Sequence, residues 1–336
     1  YKRQIGKTYL CKMSPTLLSS PLQGFTDYRF RNTFNKYFGG VDTFYAPYIR
    51  LNGKMVIKAN FDRDIQLKNN TTVNVIPQIM TNDADEFIFV TKFIQSLGYQ
   101  ELNWNLGCPY PMVINKCMGS GLINDPDRID RILDRVHSET DITVSMKMRM
   151  GYEDNKEIIK SFPVLGKYPL KNIAIHARIG KQLYKGGVDL DGFQKCIDHS
   201  PHKLYYNGDI TTVEIFRRMK ERFPVIDHWM LGRGLIADPF LPLMIKNNSE
   251  EYPEDRFEIF SKFHDRLFSE YEQKLTGDKQ IIMKMLHFWQ YFAIPLSNPT
   301  KIVKKIKKAK TIAVYDEAVA EILDNEREFH YSKISI

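Results

Sequence analysis

The segment Asn105-Leu106-Gly107-Cys108-Pro109 concentrates the most chemistry in this chain of 336 residues. The run before it reads as a strand, Gly107 and Pro109 punctuate a tight loop, and such a loop holds a thiol over a bound group. An isolated Gly-Cys-Pro is more often a structural cysteine in a turn, so the segment gains its meaning from its neighbours. Lys147 and Arg149 close a later strand-like run, and strand alternation points both to one side. A lysine in a partly desolvated site stabilises negative charge on a bound ring. His176 and Arg178 repeat that arrangement on the following run. Asn207-Gly208-Asp209 and Gly232-Arg233-Gly234 end two further runs. There the glycines let backbone N–H groups approach a phosphate, and Arg233 can pair with it bidentately.

All of these residues end short apolar runs, and those runs predict the architecture. Strands are expected at Thr16–Ser19, Asn74–Ile79, Glu101–Asn105, Ile142–Lys147, Asn172–His176, Lys203–Asn207 and His228–Gly232. Helical spacing of apolar residues over Asp83–Leu97, Asp127–His137 and Thr212–Phe223 alternates with them. That rhythm predicts parallel βα units as far as about residue 245. The chemical residues close many successive strands, so a (β/α)8 TIM barrel is expected, in which every strand delivers its end to one mouth. A doubly wound sheet would concentrate them at its switch point, and no G-x-G-x-x-G follows the first strand. The two glycine loops fall where barrels of this class bind phosphate, after strands seven and eight. From about residue 250 the strand runs stop, and Arg256–Leu275, Lys279–Phe292 and Val314–Leu323 read as helices. We therefore expect a barrel domain over residues 1–245 and a helical domain over 246–336. Between two of these helices lies a lysine run containing Lys304, Lys305, Lys307 and Lys308. Ile302, Val303 and Ile306 are expected to pack one side of it inward and leave lysines facing out.

The formal charge of +8 and pI of about 9.0 suit a polyanionic partner. The four cysteines, Cys11, Cys108, Cys117 and Cys196, form no C-x-x-C pair, and no histidine cluster has zinc-ligand spacing, so no metal is expected. A disulfide scaffold is not expected at this length, which points to a reducing cytoplasm. No apolar run approaches the roughly 20 residues that span a bilayer, and Tyr1-Lys2-Arg3 is followed by no apolar stretch of signal-peptide length.

Taken in order, these motifs resemble the tRNA-dihydrouridine synthase family, from about Leu18 to the terminal helices. Ser20-Pro21-Leu22-Gln23-Gly24-Phe25-Thr26-Asp27 resembles the family's first loop, Ala-Pro-Met-x-Gly-x-Thr-Asp, with Leu22 in place of Met. Gln78 matches a glutamine that touches the flavin. Asn105–Pro109, followed by Gly119-Ser120-Gly121, matches its most distinctive signature, and Lys147 and Arg149 match its Lys-x-Arg strand end. His176-Ala177-Arg178 matches His-Gly-Arg, with Ala177 and Ile179 where Gly and Thr are common.

The resemblance implies FMN across the barrel mouth, touched by Pro21, Leu22, Gln23, Gln78, Asn105, Lys147 and His176. Its phosphate would lie at Asn207, Gly208, Asp209, Gly232 and Arg233. It implies NADPH as hydride donor, with NADH as the alternative. A uridine flipped out of tRNA would receive hydride at carbon 6 and a proton from Cys108 at carbon 5. Asn105, Arg149 and Arg178 would attend the base, and Lys304, Lys305, Lys307 and Lys308 the tRNA. No membrane and no obligate protein partner are implied. Two rivals are a flavin barrel acting on a free pyrimidine and a non-enzymatic RNA-binding protein on the same fold.

Overall fold

The computed structural model describes residues 14–51 and 53–326. Cys11, the Tyr1-Lys2-Arg3 start and the outer ends of both expected domains lie outside the described residues. The strands are β1 (Thr16–Ser19), β2 (Thr43–Tyr45), β3 (Val75–Ile76), β4 (Gln78–Ile79), β5 (Glu101–Leu106), β6 (Thr143–Arg149), β7 (Ile173–His176), β8 (Leu204–Asn207) and β9 (His228–Leu231). They form one nine-stranded sheet in the order β3-β2-β1-β9-β8-β7-β6-β5-β4, with parallel pairing throughout. β3 and β4 are halves of one strand, parted by Pro77, which has no N–H for a ladder. Its carbonyl still accepts from the Asn103 N–H at 2.9 Å. Because these two halves are the ends of the strand order, the sheet closes on itself as the expected barrel.

Helices α1 (Tyr28–Tyr37), α2 (Ala59–Ile65) and α3 (Ala84–Ser96) cross between the early strands, and α4 (Pro111–Ile114) and α5 (Pro126–Glu139) join β5 to β6. α6 (Glu157–Leu165), α7 (Leu190–His199) and α8 (Val213–Arg222) make the remaining crossovers, and α9 (Arg233–Ala237) and α10 (Leu241–Asn247) follow β9. Many of these starts are set locally: Asp27, Asp83, Asp125, Asp189 and Thr212 each accept a first-turn N–H.

One strand escaped the sequence reading. β2 went unread because three residues are too few to show alternation. The lysine run forms a helix, α13 (Pro299–Lys308), between α12 (Asp278–Phe292) and α14 (Ile312–Glu326), with Ile302 and Ile306 packed inward as expected. The expected boundary at residue 245 falls inside α10, and the next helix, α11, covers Arg256–Glu272.

The last four helices share the barrel's hydrophobic core. Phe30 of α1 stacks on Phe288 of α12, with ring centroids 5.6 Å apart, and meets Phe263 of α11 edge-on. This docking grips the loop between β1 and α1. Tyr271 donates to Asp27 Oδ1 at 2.8 Å, Lys284 donates to the Gly24 carbonyl at 2.6 Å, and Phe25 meets Phe288 and Tyr291 edge-on. The loop's other support is Arg31, which is fully buried. Its guanidinium donates to the carbonyls of Thr26 and Asp64, to Asn70 Oδ1 and to the Asp64 carboxylate. Removing one member of a buried pair strands the other charge. Arg31→Met should therefore destabilise the protein by about 3–5 kcal/mol, measured by urea unfolding at neutral pH. A change below about 1 kcal/mol would show that Asp64 is satisfied by other groups.

Candidate active site

The C-terminal ends of the strands open into one cleft of about 1100 Å³. β1 contributes the loop from Ser20 to Gln23, β5 contributes Asn105 and Cys108, and β6 contributes Lys147 and Arg149. His176 ends β7, Asn207 ends β8 with Gly208 and Asp209 following it, and Gly232–Gly234 follow β9. Parallel register aligns them: Asn105 lies beside Lys147, Arg149 beside His176, and His176 beside Asn207.

The Cys108 loop is fixed from within the barrel. Asn105 Oδ1 accepts the N–H groups of Gly107 and Cys108, each at 3.0 Å. Asn105 Nδ2 donates to Gln78 Oε1 at 2.8 Å, Gln78 Nε2 to Asn103 Oδ1 at 2.7 Å, and Asn103 Nδ2 to Ser145 Oγ at 2.9 Å. Gln78 is thus wholly buried behind Asn105 and is not among the residues lining the cleft. Ser120 donates to the Cys108 carbonyl through both its N–H and its hydroxyl. Gly119 must be glycine here, since its φ is +57° and a Cβ would stand 2.5 Å from that carbonyl oxygen.

Burial pushes the Cys108 thiol up from its ordinary value, and the Tyr110 N–H, the Tyr48 hydroxyl and the Arg149 and Arg50 charges only partly oppose this. Near neutral pH the sulfur therefore keeps its proton. Cys117, nearby in sequence, is exposed and does not line the cleft. Burial and the Arg149 charge lower Lys147 to about 7. Burial and the charges of Arg149, Lys147, Arg178 and Arg233 push His176 well below its ordinary range. It is neutral, with Nε2 accepting from Arg178 at 3.2 Å.

Arg178 itself is 1% exposed and does not line the cleft. It is spent on the Asp209 carboxylate and the Gly186 carbonyl. Asp209 also pairs with Arg233 at 3.0 Å, so this carboxylate sets the two guanidiniums. Arg149 donates to the carbonyls of Gly107 and Ile179 and lines the cleft. Lys147, Arg149 and Arg233 face Asp209, the one acidic group lining the cleft among the described residues, so the cleft suits an anion. A phosphate fits the two glycine loops. A Cβ at Gly208 would crowd Val188 at 2.9 Å, Arg233 supplies a charge, and the first N–H groups of α9 have no acceptor within their helix.

Several lining aromatics escaped the sequence reading. Tyr184 lies between Arg149 and Arg233, whose charges stand 5.3 and 4.7 Å from its ring. Tyr48 sits beside Cys108, and Tyr110 on the rim is half exposed. Tyr291 comes from α12, far along the chain. Tyrosines after strand ends were the one available signal for the first three; Tyr291 had none.

A closed parallel barrel whose strands deliver side chains to one mouth is the architecture of TIM-barrel enzymes. Solved structures share it: an old yellow enzyme homologue from Zymomonas mobilis matches with a TM-score of 0.52 at 10% identity, covering 71% of this chain and 90% of that one. Morphinone reductase in complex with tetrahydroNAD matches with a TM-score of 0.50 at 7% identity, covering 72% and 89%. A family model described as dihydrouridine synthase (Dus) matches residues 17–324, and the chain belongs to that family. Relatives include a probable tRNA-dihydrouridine synthase of Rhodobacter capsulatus, 25% identical over 320 residues, covering 92% of this chain and 96% of that protein. The tRNA-dihydrouridine(16) synthase of Ralstonia nicotianae is 24% identical over 246 residues, covering 71% and 75%.

The lowered Lys147 carries a pH signature. A lysine ionises near 10.4 in the unfolded chain and near 7 here. Between these values the unfolded chain binds more protons, so Lys147's burden on the fold is full below pH 7 and fades as pH rises to about 10.4. Relative to Lys147→Met, the wild type should gain stability from pH 7 to pH 10 in paired urea titrations. Parallel curves would mean that Lys147 is solvated.

Proposed function

We propose that this protein is an FMN-dependent tRNA-dihydrouridine synthase, driven by NADPH with NADH as the alternative, that uses Cys108 as its proton donor. The carrying observation is the buried Cys108 side chain, its loop held by Asn105 over the same cleft that Lys147 and the glycine loops line. The family match supports the reaction, and the relatives' names support tRNA as substrate.

Bound across the mouth, FMN would carry hydride from the nicotinamide to uracil carbon 6. Gly208, Gly232 and Arg233 would hold its phosphate, with Asn207 and Asp209 shaping those loops. Pro21, Leu22 and Gln23 would wall one side, and Lys147 would set positive charge against the ring. Neutral His176 would act as a hydrogen-bond donor through Nδ1. Arg149 and Asn105 reach the cleft and would orient the flipped uracil, while Arg178 and Gln78 act from behind by holding Asp209 and Asn105. As carbon 6 gains hydride, Cys108 would give its proton to carbon 5, which saturates the bond.

The helices from residue 256 onward would take the body of the tRNA, with the barrel ahead of them as the catalytic domain. Lys304, Lys307 and Lys308 are exposed on α13, with Ile302 and Ile306 buried beneath them. Lys305 pairs with Glu321 and would contribute less. Among the described residues no helix is long and apolar enough to cross a membrane. The cytoplasm, as the place where tRNA is matured, is the expected setting, with no obligate protein partner.

Separate measurement of the two half-reactions tests the assignment. Cys108→Ala should purify yellow and be bleached by NADPH at a near-normal rate. Its reoxidation by tRNA should slow by about 10²–10⁴-fold, as expected for a lost general acid. Cys117→Ala should keep both half-reactions. A colourless protein that takes up no FMN would sink the cofactor, and a Cys108→Ala enzyme with normal tRNA reoxidation would sink the proton donor.

The lysine face gives a second outcome. Converting Lys304, Lys307 and Lys308 together to Glu should weaken tRNA binding and flatten its dependence on salt. NADPH oxidation should be nearly unchanged, and Lys305→Glu alone should do less. Equal tRNA affinity in the triple variant would mark the face as merely solvated.

A further inference from the structure

We propose that Tyr48 positions the Cys108 thiol and is the group through which the sulfur recovers its proton after each turnover. The inference rests on Cys108 as the proton donor of the reaction.

Tyr48 stands where the barrel wall breaks and resumes. β2 ends at Tyr45, Pro47 interrupts the ladder, and the chain rejoins the wall at Ile49. Backbone bonds anchor both sides: the Ala46 N–H donates to the Ile76 carbonyl at 2.9 Å, and the Ile49 N–H to the Gln78 carbonyl at 2.7 Å. Tyr48 packs against the cluster of Met80, Cys108, Val113 and Met118, it lines the same cleft as Cys108, and its phenol and the thiol each act on the other's ionisation. The ring is only half-buried and lines the cleft, whereas Cys108 is 8% exposed. Tyr48 therefore bridges the enclosed sulfur and the wetter side of the cleft.

A thiol that gives its proton to carbon is left as a thiolate and must be refilled. The Tyr110 backbone N–H also favours negative charge on this sulfur, but an amide cannot surrender its proton. The Tyr48 hydroxyl can. The S–H bond breaks as the carbon 5–H bond forms. The sulfur then takes the Tyr48 hydroxyl proton as the phenol oxygen takes one from solvent, so thiol and phenol are both restored and no electrons move. Burial and the adjoining Cys108 raise the phenol above its ordinary value, so the phenol rests neutral and the two transfers run together. The Arg50 charge acts on both groups and favours the transient thiolate.

The test is Tyr48→Phe, which keeps the ring and its packing. In a Cys117→Ala background, the alkylation rate of Cys108 by iodoacetamide is followed against pH. Its midpoint should move to higher pH, because the thiolate loses a donor. With NADPH and tRNA in excess, the first dihydrouridine per enzyme should form at close to the wild-type rate, from thiol already protonated. Later turnovers should slow on the order of tenfold, the worth of about one hydrogen bond. An unmoved alkylation midpoint would overturn the contact. A moved midpoint with first and later turnovers slowed alike would reduce Tyr48 to a structural support and overturn the relay. Cys108→Ala run in parallel separates the two readings. If it keeps normal tRNA reoxidation, the proton-donor reading fails and the relay fails with it. If it is impaired while Tyr48→Phe matches the wild type, the relay alone is overturned.

Discussion

The side-chain amide of Asn105 is the joint on which this site turns. Its oxygen sets the loop that carries Cys108, and its nitrogen is tied through Gln78 and Asn103 to Ser145 across the barrel interior. Buried amides stay in such places only when fully paired, because an unpaired one costs about 1–3 kcal/mol. The chain also depends on barrel closure. Gln78 opens the half-strand after Pro77, so the break that joins the two ends of the sheet fixes the residue that orients Asn105. Catalytic geometry and the closing of the fold are thus one hydrogen-bonded structure.

Charge is handled just as economically. One carboxylate, Asp209, fixes the directions of Arg178 and Arg233, which leaves the cleft with surplus cations and a strong demand for an anion. Burial, joined by that same surplus, keeps His176 neutral, while burial keeps the Cys108 proton in place. Groups that must donate hydrogen bonds and groups that must carry charge are separated by environment rather than by residue type.

The repeating part of this design was legible in the sequence. Strands of four or more residues that carry Asn105, Lys147, His176 and Asn207 at or near their ends, or that stop just before Gly232, announce themselves by apolar runs, and a barrel follows from their shared direction. β2 did not, since Thr43–Tyr45 is too short for a pattern, and Tyr48 was lost with it. Gln78 and Arg178 were legible as residues but not as positions: an amide facing the cleft and one standing behind it share the same spacing. α13 was visible as a lysine run with isoleucines at helical intervals, but the pairing of Lys305 with Glu321 depends on how two helices lie together.

The grip of the last helices on the β1–α1 loop bears on how the enzyme is made. Phe25 rests on Phe288 and Tyr291, and Tyr291 forms part of the cleft wall. A chain emerging from the ribosome therefore holds an unfinished mouth until α12 has been synthesised. Contacts so distant in sequence form slowly, because a long loop must close before they reward it. The nascent barrel must wait with its first loop unclasped and the aromatic surface of α1 uncovered. That interval is when it is most exposed to wrong partners, and it ends when α11 and α12 arrive.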